Sequence, residues 1–262
     1  MPPDDNSPFV QDRFAYARSS DLCEWEQLPF VLSKRVPGRW DEQAIWAPFV
    51  YHENGVYYLF YTGVTADVTQ SILLATSNDP SNPGSWKPQD MVFQPDHQGM
   101  VWEEGGWADC RDPTVVKIED TYYLFYTAKY VNGSIIGLAI SQTPTGPWED
   151  HGSILGSGGE VMIESPTLVQ YGDIYYLFYN HSKQGEYFRI GEDPTGPWGE
   201  PIPFQPGWAH EIWQDPQNNW FASYLTDYSV TIRPLMWDTF KHPPNPIIED
   251  ASKNLFSNFQ SK

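Results

Sequence analysis

Basic residues are scarce. Fifteen Lys and Arg stand against 34 Asp and Glu, a formal net charge of −19 at pH 7. A nucleic acid or an anionic bilayer would meet repulsion from that field, so neither is expected as a partner. Cysteine is almost absent: Cys23 and Cys110 lie far apart, no disulfide framework is legible, and two buried free thiols are expected. No apolar run approaches the ~20 residues that span a bilayer. The opening MPPDDNSPFV has neither a basic n-region nor an apolar stretch, so it does not read as a signal peptide; the chain is expected to be soluble, with no compartment assigned. Long helical periodicities are also missing, which excludes a helical bundle.

What the chain has instead is aromatic and turn chemistry. Aromatic residues make up 16%, with 12 Trp and 16 Tyr, and Pro (24) and Gly (20) are frequent. That mixture suits short strands joined by tight turns. At 262 residues the chain fits one large all-β domain or two small ones, and one is the simpler reading.

An internal repeat narrows the architecture. IWAPFVYHENGVYYLFYTG (45–63), CRDPTVVKIEDTYYLFYTA (110–128) and IESPTLVQYGDIYYLFYNH (163–181) align without a gap, each with nine residues from its proline to the first Tyr of Tyr-Tyr-Leu-Phe-Tyr. Each reads as a β-hairpin whose turn carries Asn-Gly, Glu-Asp or Gly-Asp. A further strand pair follows each one, around a turn that ends on Trp86, Trp148 or Trp198. A weaker fourth copy, HEIWQDPQNNWFASYL (210–225), puts His210 and Glu211 where the others have X-Pro. Residues 13–32 match only the second half of a unit, with Trp25 at the turn. The four recurrent Trp residues are assigned to packing between blades. Four units and a half predict a five-bladed β-propeller of four-stranded blades, truncated in the first blade at the N-terminus. The propeller domain is placed at 1–240 and a C-terminal tail at 241–262. A β-sandwich is the alternative, but it needs no fixed offset of nine.

In a propeller the innermost strands line the axis, so the residues before each proline should ring a concave mouth. Around that ring stand Trp46 and Ala47, Arg111 and Asp112, Glu164 and Ser165, then His210. Two carboxylates from different blades converge, an arrangement suited to glycosidic cleavage, where a protonated acid works beside an ionised partner. Glu164, flanked by Met162, Ile163 and Pro166, suits the acid; Asp112, beside Arg111, suits the ionised group that raises its pKa. Taken singly, Asp-Pro is an ordinary turn dipeptide and Arg111–Asp112 an ordinary ion pair; the common hairpin position gives them weight. Trp46 reads equally as a sugar platform or a packing residue. Trp107, Arg111, Ser165 and His210 complete the candidate substrate-binding set, with His210 also able to hold a water or ion or to satisfy a buried carbonyl.

The series WAP, RDP, ESP, each before an aromatic hairpin, resembles the five-bladed glycoside hydrolases of family 43 (arabinofuranosidases, xylosidases, arabinanases) and their relatives in families 32 and 68, over residues 7–240. The resemblance implies hydrolysis of an arabinofuranoside, xyloside or fructoside, with Glu164 as general acid and Asp112 as pKa modulator and transition-state stabiliser. It implies a carbohydrate partner, no required cofactor, and a calcium ion in the channel as compatible; no ligand spacing demands the metal, and none is assigned. It also implies a first-blade catalytic Asp. The spacings of 38, 35 and 32 residues between inner-strand proline and turn Trp would put that Asp upstream of residue 1. Asp4, Asp5, Asp12, Asp41 and Asp109 are the conceivable substitutes, none in register. Weak or absent turnover is therefore expected of this chain, a non-catalytic carbohydrate-binding propeller is the alternative function, and a homodimer through the incomplete first blade is expected.

Overall fold

The computed structural model describes residues 11–34, 37–159, 161–204, 207–226 and 229–248. The described residues form one two-stranded and four four-stranded antiparallel sheets. The two-stranded sheet pairs β1 (Arg13–Arg18) with β2 (Glu26–Ser33). Blade I is β3 (Ala44–Glu53), β4 (Val56–Val64), β5 (Gln70–Ser77) and β6 (Lys87–Phe93). Blade II is β7 (Cys110–Ile118), β8 (Thr121–Tyr130), β9 (Gly133–Ser141) and β10 (Glu149–Gly156). Blade III is β11 (Ile163–Tyr171), β12 (Ile174–His181), β13 (Gly185–Gly191) and β14 (Ile202–Pro203). Blade IV is β15 (Trp208–Gln214), β16 (Trp220–Thr226), β17 (Ser229–Asp238) and β18 (Asn245–Ile248). In each blade the strands follow one another in chain order, and β3, β7, β11 and β15 pack side by side as the inner strands.

The Tyr-Tyr-Leu-Phe-Tyr strands show why this sequence stacks as blades. Alternate residues of a strand face opposite sides. Leu124 and Tyr126 face the seam with blade I, and Phe125 faces the seam with blade III. Leu177 and Tyr179 face blade II, and Tyr176 and Phe178 face blade IV. A strand covered on both sides reads as a continuous apolar run, as these do. Leu59, Phe60, Leu124, Phe125, Leu177 and Phe178 are all buried, each contributing roughly 1.5–3 kcal/mol relative to exposure.

The blade count corrects the sequence reading. Among the described residues there are four complete blades, not five, and the half unit forms a two-stranded sheet packed on blade I through Phe14 and Val31. The fourth strand of blade IV, Asn245–Ile248, comes from the segment read as a tail after residue 240. The turn Trp residues also divide. Trp86, Trp148 and Trp198 pack on the preceding sheet, Trp148 edge-on to Phe60 at 6.1 Å. Trp25 is 48% exposed, because no described sheet precedes its own. Cys23, in the same turn, is exposed rather than buried, while Cys110 is a buried free thiol.

Candidate active site at the axial cavity

Each inner strand breaks register once, between Trp46 and Phe49, Arg111 and Thr114, Glu164 and Thr167, and Trp208 and Glu211. At every break one residue is left-handed: Ala47 (φ 45), Asp112 (φ 56), Ser165 (φ 55) and Ala209 (φ 54). A non-glycine residue in this region is strained by about 1–2 kcal/mol, so four in equivalent places mark a built feature. The bulge turns the inner strand and re-aims its side chains at the axis.

Cross-blade hydrogen bonds hold the strained residues. The Asp112 amide donates to Thr62 Oγ1 (3.2 Å), and the Ser165 amide to Thr127 Oγ1 (3.2 Å) and Asp112 Oδ2 (3.1 Å). Thr62, Thr127 and Asn180 are equivalent, opposite Trp46, Arg111 and Glu164. In blade III the pattern changes. Asn180 Nδ2 approaches Glu164 Oε1 at 3.5 Å, and the Ala209 amide is taken instead by Glu186 Oε1 at 2.9 Å.

The structure brings Asp112, Arg111, Glu164 and Ser165 together. The Arg111 guanidinium is buried and meets Asp109 Oδ1 at 3.0 Å, Glu164 Oε2 at 3.2 Å and Asp112 Oδ2 at 3.7 Å. It also donates to Gln70 Oε1 (3.4 Å) and Met162 Sδ (3.0 Å). Burial costs the cation, but the carboxylates of Asp112, Asp109 and Glu164 outweigh that and raise its pKa. Glu164 is pushed above the usual carboxyl range, first by desolvation and next by the charge of Asp112, against the lowering effect of Arg111. Asp112 Oδ2 accepts from Thr127 Oγ1 at 2.9 Å, which fixes its rotamer.

Trp107 is 62% exposed and donates its indole N–H to Asp109 Oδ1 (2.7 Å), at the edge of this cluster rather than in it. Trp46 is part-buried on the ring. His210 is not the residue before the proline equivalent, as the sequence suggested. Ala209 occupies that place and His210 stands where Pro48, Pro113 and Pro166 stand, because the bulge falls between Trp208 and Glu211. The His210 ring is fully buried, stacked on Tyr224 at 4.8 Å, with Nδ1 3.5 Å from Glu186 Oε2. Its backbone carbonyl accepts from Thr167 Oγ1.

A cavity of about 370 Å³ opens beside the ring, lined from all four blades by residues that include Ala47, Asp112, Ser165, His210 and Glu211, and by Gln11. That volume suits a monosaccharide unit. Sequence reasoning missed three residues here. Trp208, exposed at the position equivalent to Glu164, was hidden by the misplaced register. Glu211 is raised to about 8 by desolvation and by Asp112. Glu186 lies on a third strand, where no motif points to it. Of the proposed substitute acids, Asp12 pairs with Arg13 on the surface, Asp41 is buried against Tyr61 and Asp109 serves Arg111; Asp4 and Asp5 lie outside the described residues. Calcium takes six to eight oxygen ligands. Among the described residues no group of three or more His, Cys, Asp or Glu is placed to hold a metal.

The sequence profile of "Glycosyl hydrolases family 43" matches residues 6–101. The probable arabinan endo-1,5-alpha-L-arabinosidase B of Aspergillus oryzae is 27% identical over 229 residues, covering 78% of this chain and 53% of the fungal protein. The extracellular exo-alpha-(1->5)-L-arabinofuranosidase ArbA of Cellvibrio japonicus is 27% identical over 161 residues, covering 56% of this chain and 44% of that protein. The chain thus spans about half the length of the curated relatives it matches. Among solved structures, a thermostable family-43 glycoside hydrolase superposes with a TM-score of 0.72 at 18% identity, over 92% of this chain and 86% of the other. An exo-1,5-alpha-L-arabinanase from a bovine ruminal metagenomic library gives 0.65 at 17% identity, over 92% and 91%. Residues 6–101 carry the sequence signature of glycosyl hydrolases family 43, and 92% of the chain superposes on the fold of the solved family-43 glycoside hydrolase.

Proposed function

We propose that this protein is a family 43 glycoside hydrolase that cleaves arabinofuranosyl linkages in arabinose-containing glycans. The observation that carries the reading is Glu164: a carboxyl raised in pKa by burial and by Asp112, held by Arg111 and Asn180 on the strained inner-strand ring. A carboxyl kept protonated toward neutrality can hand its proton to the leaving glycosidic oxygen. Asp112, clamped by Thr127 and the Ser165 amide, presents a carboxylate for sugar hydroxyls and for positive charge developing at the anomeric centre. Trp46 and Trp208 occupy equivalent places on their blades, each just before the left-handed residue, and are the aromatic candidates for stacking on a sugar. The arabinan-directed names of the relatives support arabinose over xylose or fructose as the sugar.

The test is release of arabinose or arabino-oligosaccharides from linear 1,5-arabinan by the purified chain, beside xylan and sucrose controls. Glu164→Gln should lower kcat by about 10²–10⁴-fold. Equal activity of that variant, or cleavage of xylan or sucrose in preference to arabinan, would sink the proposal. One observation favours a second reading, a carbohydrate-binding propeller without turnover: the cavity is lined by Asp112 and Glu211, while Glu164 is engaged to its side by Arg111. Arabino-oligosaccharide binding with no product over a day of incubation would select it.

A further inference from the structure

Besides its missing proline and tyrosine run, blade IV departs from the repeat at one pair of positions that faces the axial cavity. After the bulge, blades I to III place Phe49, Thr114 or Thr167 opposite Phe60, Phe125 or Phe178, and the following sheet covers that phenylalanine. Blade IV has Glu211 opposite Ser223 there, and both line the axial cavity. A carboxyl group where the repeat has Phe or Thr, opposite a serine where the repeat has phenylalanine, is the kind of local inconsistency that marks a functional position. The equivalent threonines show what the position does. Thr114 Oγ1 donates to the Pro166 carbonyl (2.5 Å) and Thr167 Oγ1 to the His210 carbonyl (2.8 Å), each in the next blade. A carboxyl group can donate in the same way only when it is neutral.

We propose that Glu211 is a substrate-binding residue which, as a neutral carboxylic acid, donates a hydrogen bond to a sugar oxygen in the axial cavity, opposite the accepting carboxylate of Asp112. This rests on the carbohydrate reading above and adds to it the residue that recognises the sugar. A sugar hydroxyl both donates and accepts, so a neutral acid facing a carboxylate matches it on both counts. The groups around Glu211 favour the neutral form. Asp112 faces it from β7, His210 with Glu186 behind it and Tyr224 from β16 flank it, and no Lys or Arg is among the described lining residues. Desolvation and the Asp112 charge act in the same direction.

The experiment is calorimetric titration of arabino-oligosaccharides into the whole chain carrying Glu164→Gln, which slows turnover, from about pH 5 to about pH 9. Affinity should hold to about pH 8 and then fall by up to about tenfold per pH unit. Adding Glu211→Gln, which keeps a donor, should leave neutral-pH affinity within about threefold and remove the alkaline fall, whereas Glu211→Leu should weaken binding about tenfold or more. A carboxylic-acid carbonyl band in the infrared spectrum at neutral pH, lost in Glu211→Gln, reports the neutral acid without any ligand. Parent-like binding by Glu211→Leu, persistence of the alkaline fall in Glu211→Gln, or absence of the band would each overturn the proposal and leave the carbohydrate reading standing. If no arabino-oligosaccharide binds at all, the carbohydrate reading falls, and this role with it.

Discussion

At the scale of single residues the site is a balance of charges around Arg111. Asp112 raises the pKa of Glu164 and Arg111 lowers it. A general acid works while protonated, so the alkaline limb of kcat/KM should follow Glu164. Asp112→Asn removes a raising charge and should move that limb to lower pH, with kcat down by about 10²–10³-fold from lost transition-state stabilisation. A limb that stays in place, or moves up, would show that another group titrates there. Glu211 makes a stability prediction. Its folded pKa lies above its unfolded value, so its contribution is fully present below about 4.5 and is lost as pH rises toward about 8. Relative to wild type, Glu211→Gln should therefore gain in melting temperature as pH rises through that window, and a constant difference would refute the shift. Asp112 and Glu164 were legible in sequence because the proline and the Tyr-Tyr-Leu-Phe-Tyr run fix their register. That Arg111 also serves Asp109 and Gln70 was not, since those partners are brought in by loop and strand geometry.

At the scale of elements, the inner-strand bulge is the device that makes a site from a repeat. It was not legible, because a left-handed residue before proline leaves no mark when the residue is Ala, Asp or Ser rather than Gly. Blade IV shows the cost of that. It lacks both the proline and the tyrosine run, so its register was read one residue late, and Trp208 and Glu211 were passed over while His210 was given Ala209's place. The repeat did place every hairpin of blades I to III, and with them most of the fold. Ala209→Val would put a β-branched side chain at φ 54 and should cost about 1–3 kcal/mol, read by chemical denaturation; a loss under about 0.5 kcal/mol would mean the bulge is not strained. Thr127→Val removes the hydroxyl that donates to Asp112 and accepts from the Ser165 amide. It should cost about 1–3 kcal/mol and lower kcat more than it raises KM, because Asp112 loses its orientation. A rise in KM alone would show that the staple only holds substrate.

At the scale of the whole molecule, the acidic surface sets which glycans can approach. The formal charge of −19 creates a negative field that extends about 30 Å at 0.01 M salt and about 8 Å at 0.15 M. Arabinan is uncharged and indifferent to that field, whereas the polygalacturonate of pectin is a polyanion and is repelled by it. At the site the Asp112 carboxylate adds to the exclusion close at hand, and the guanidinium beside it, Arg111, is buried and already engaged. Affinity for neutral arabino-oligosaccharides should therefore change by less than about twofold between these salt concentrations, and polygalacturonate should not bind at the lower one. The same self-repulsion opposes the folded state, so the melting temperature should rise with salt over the same range, by about 2–4 °C for each kcal/mol relieved. Tighter binding of polygalacturonate at low salt, or a melting temperature that falls as salt is added, would show that local basic groups, not the net charge, govern the surface.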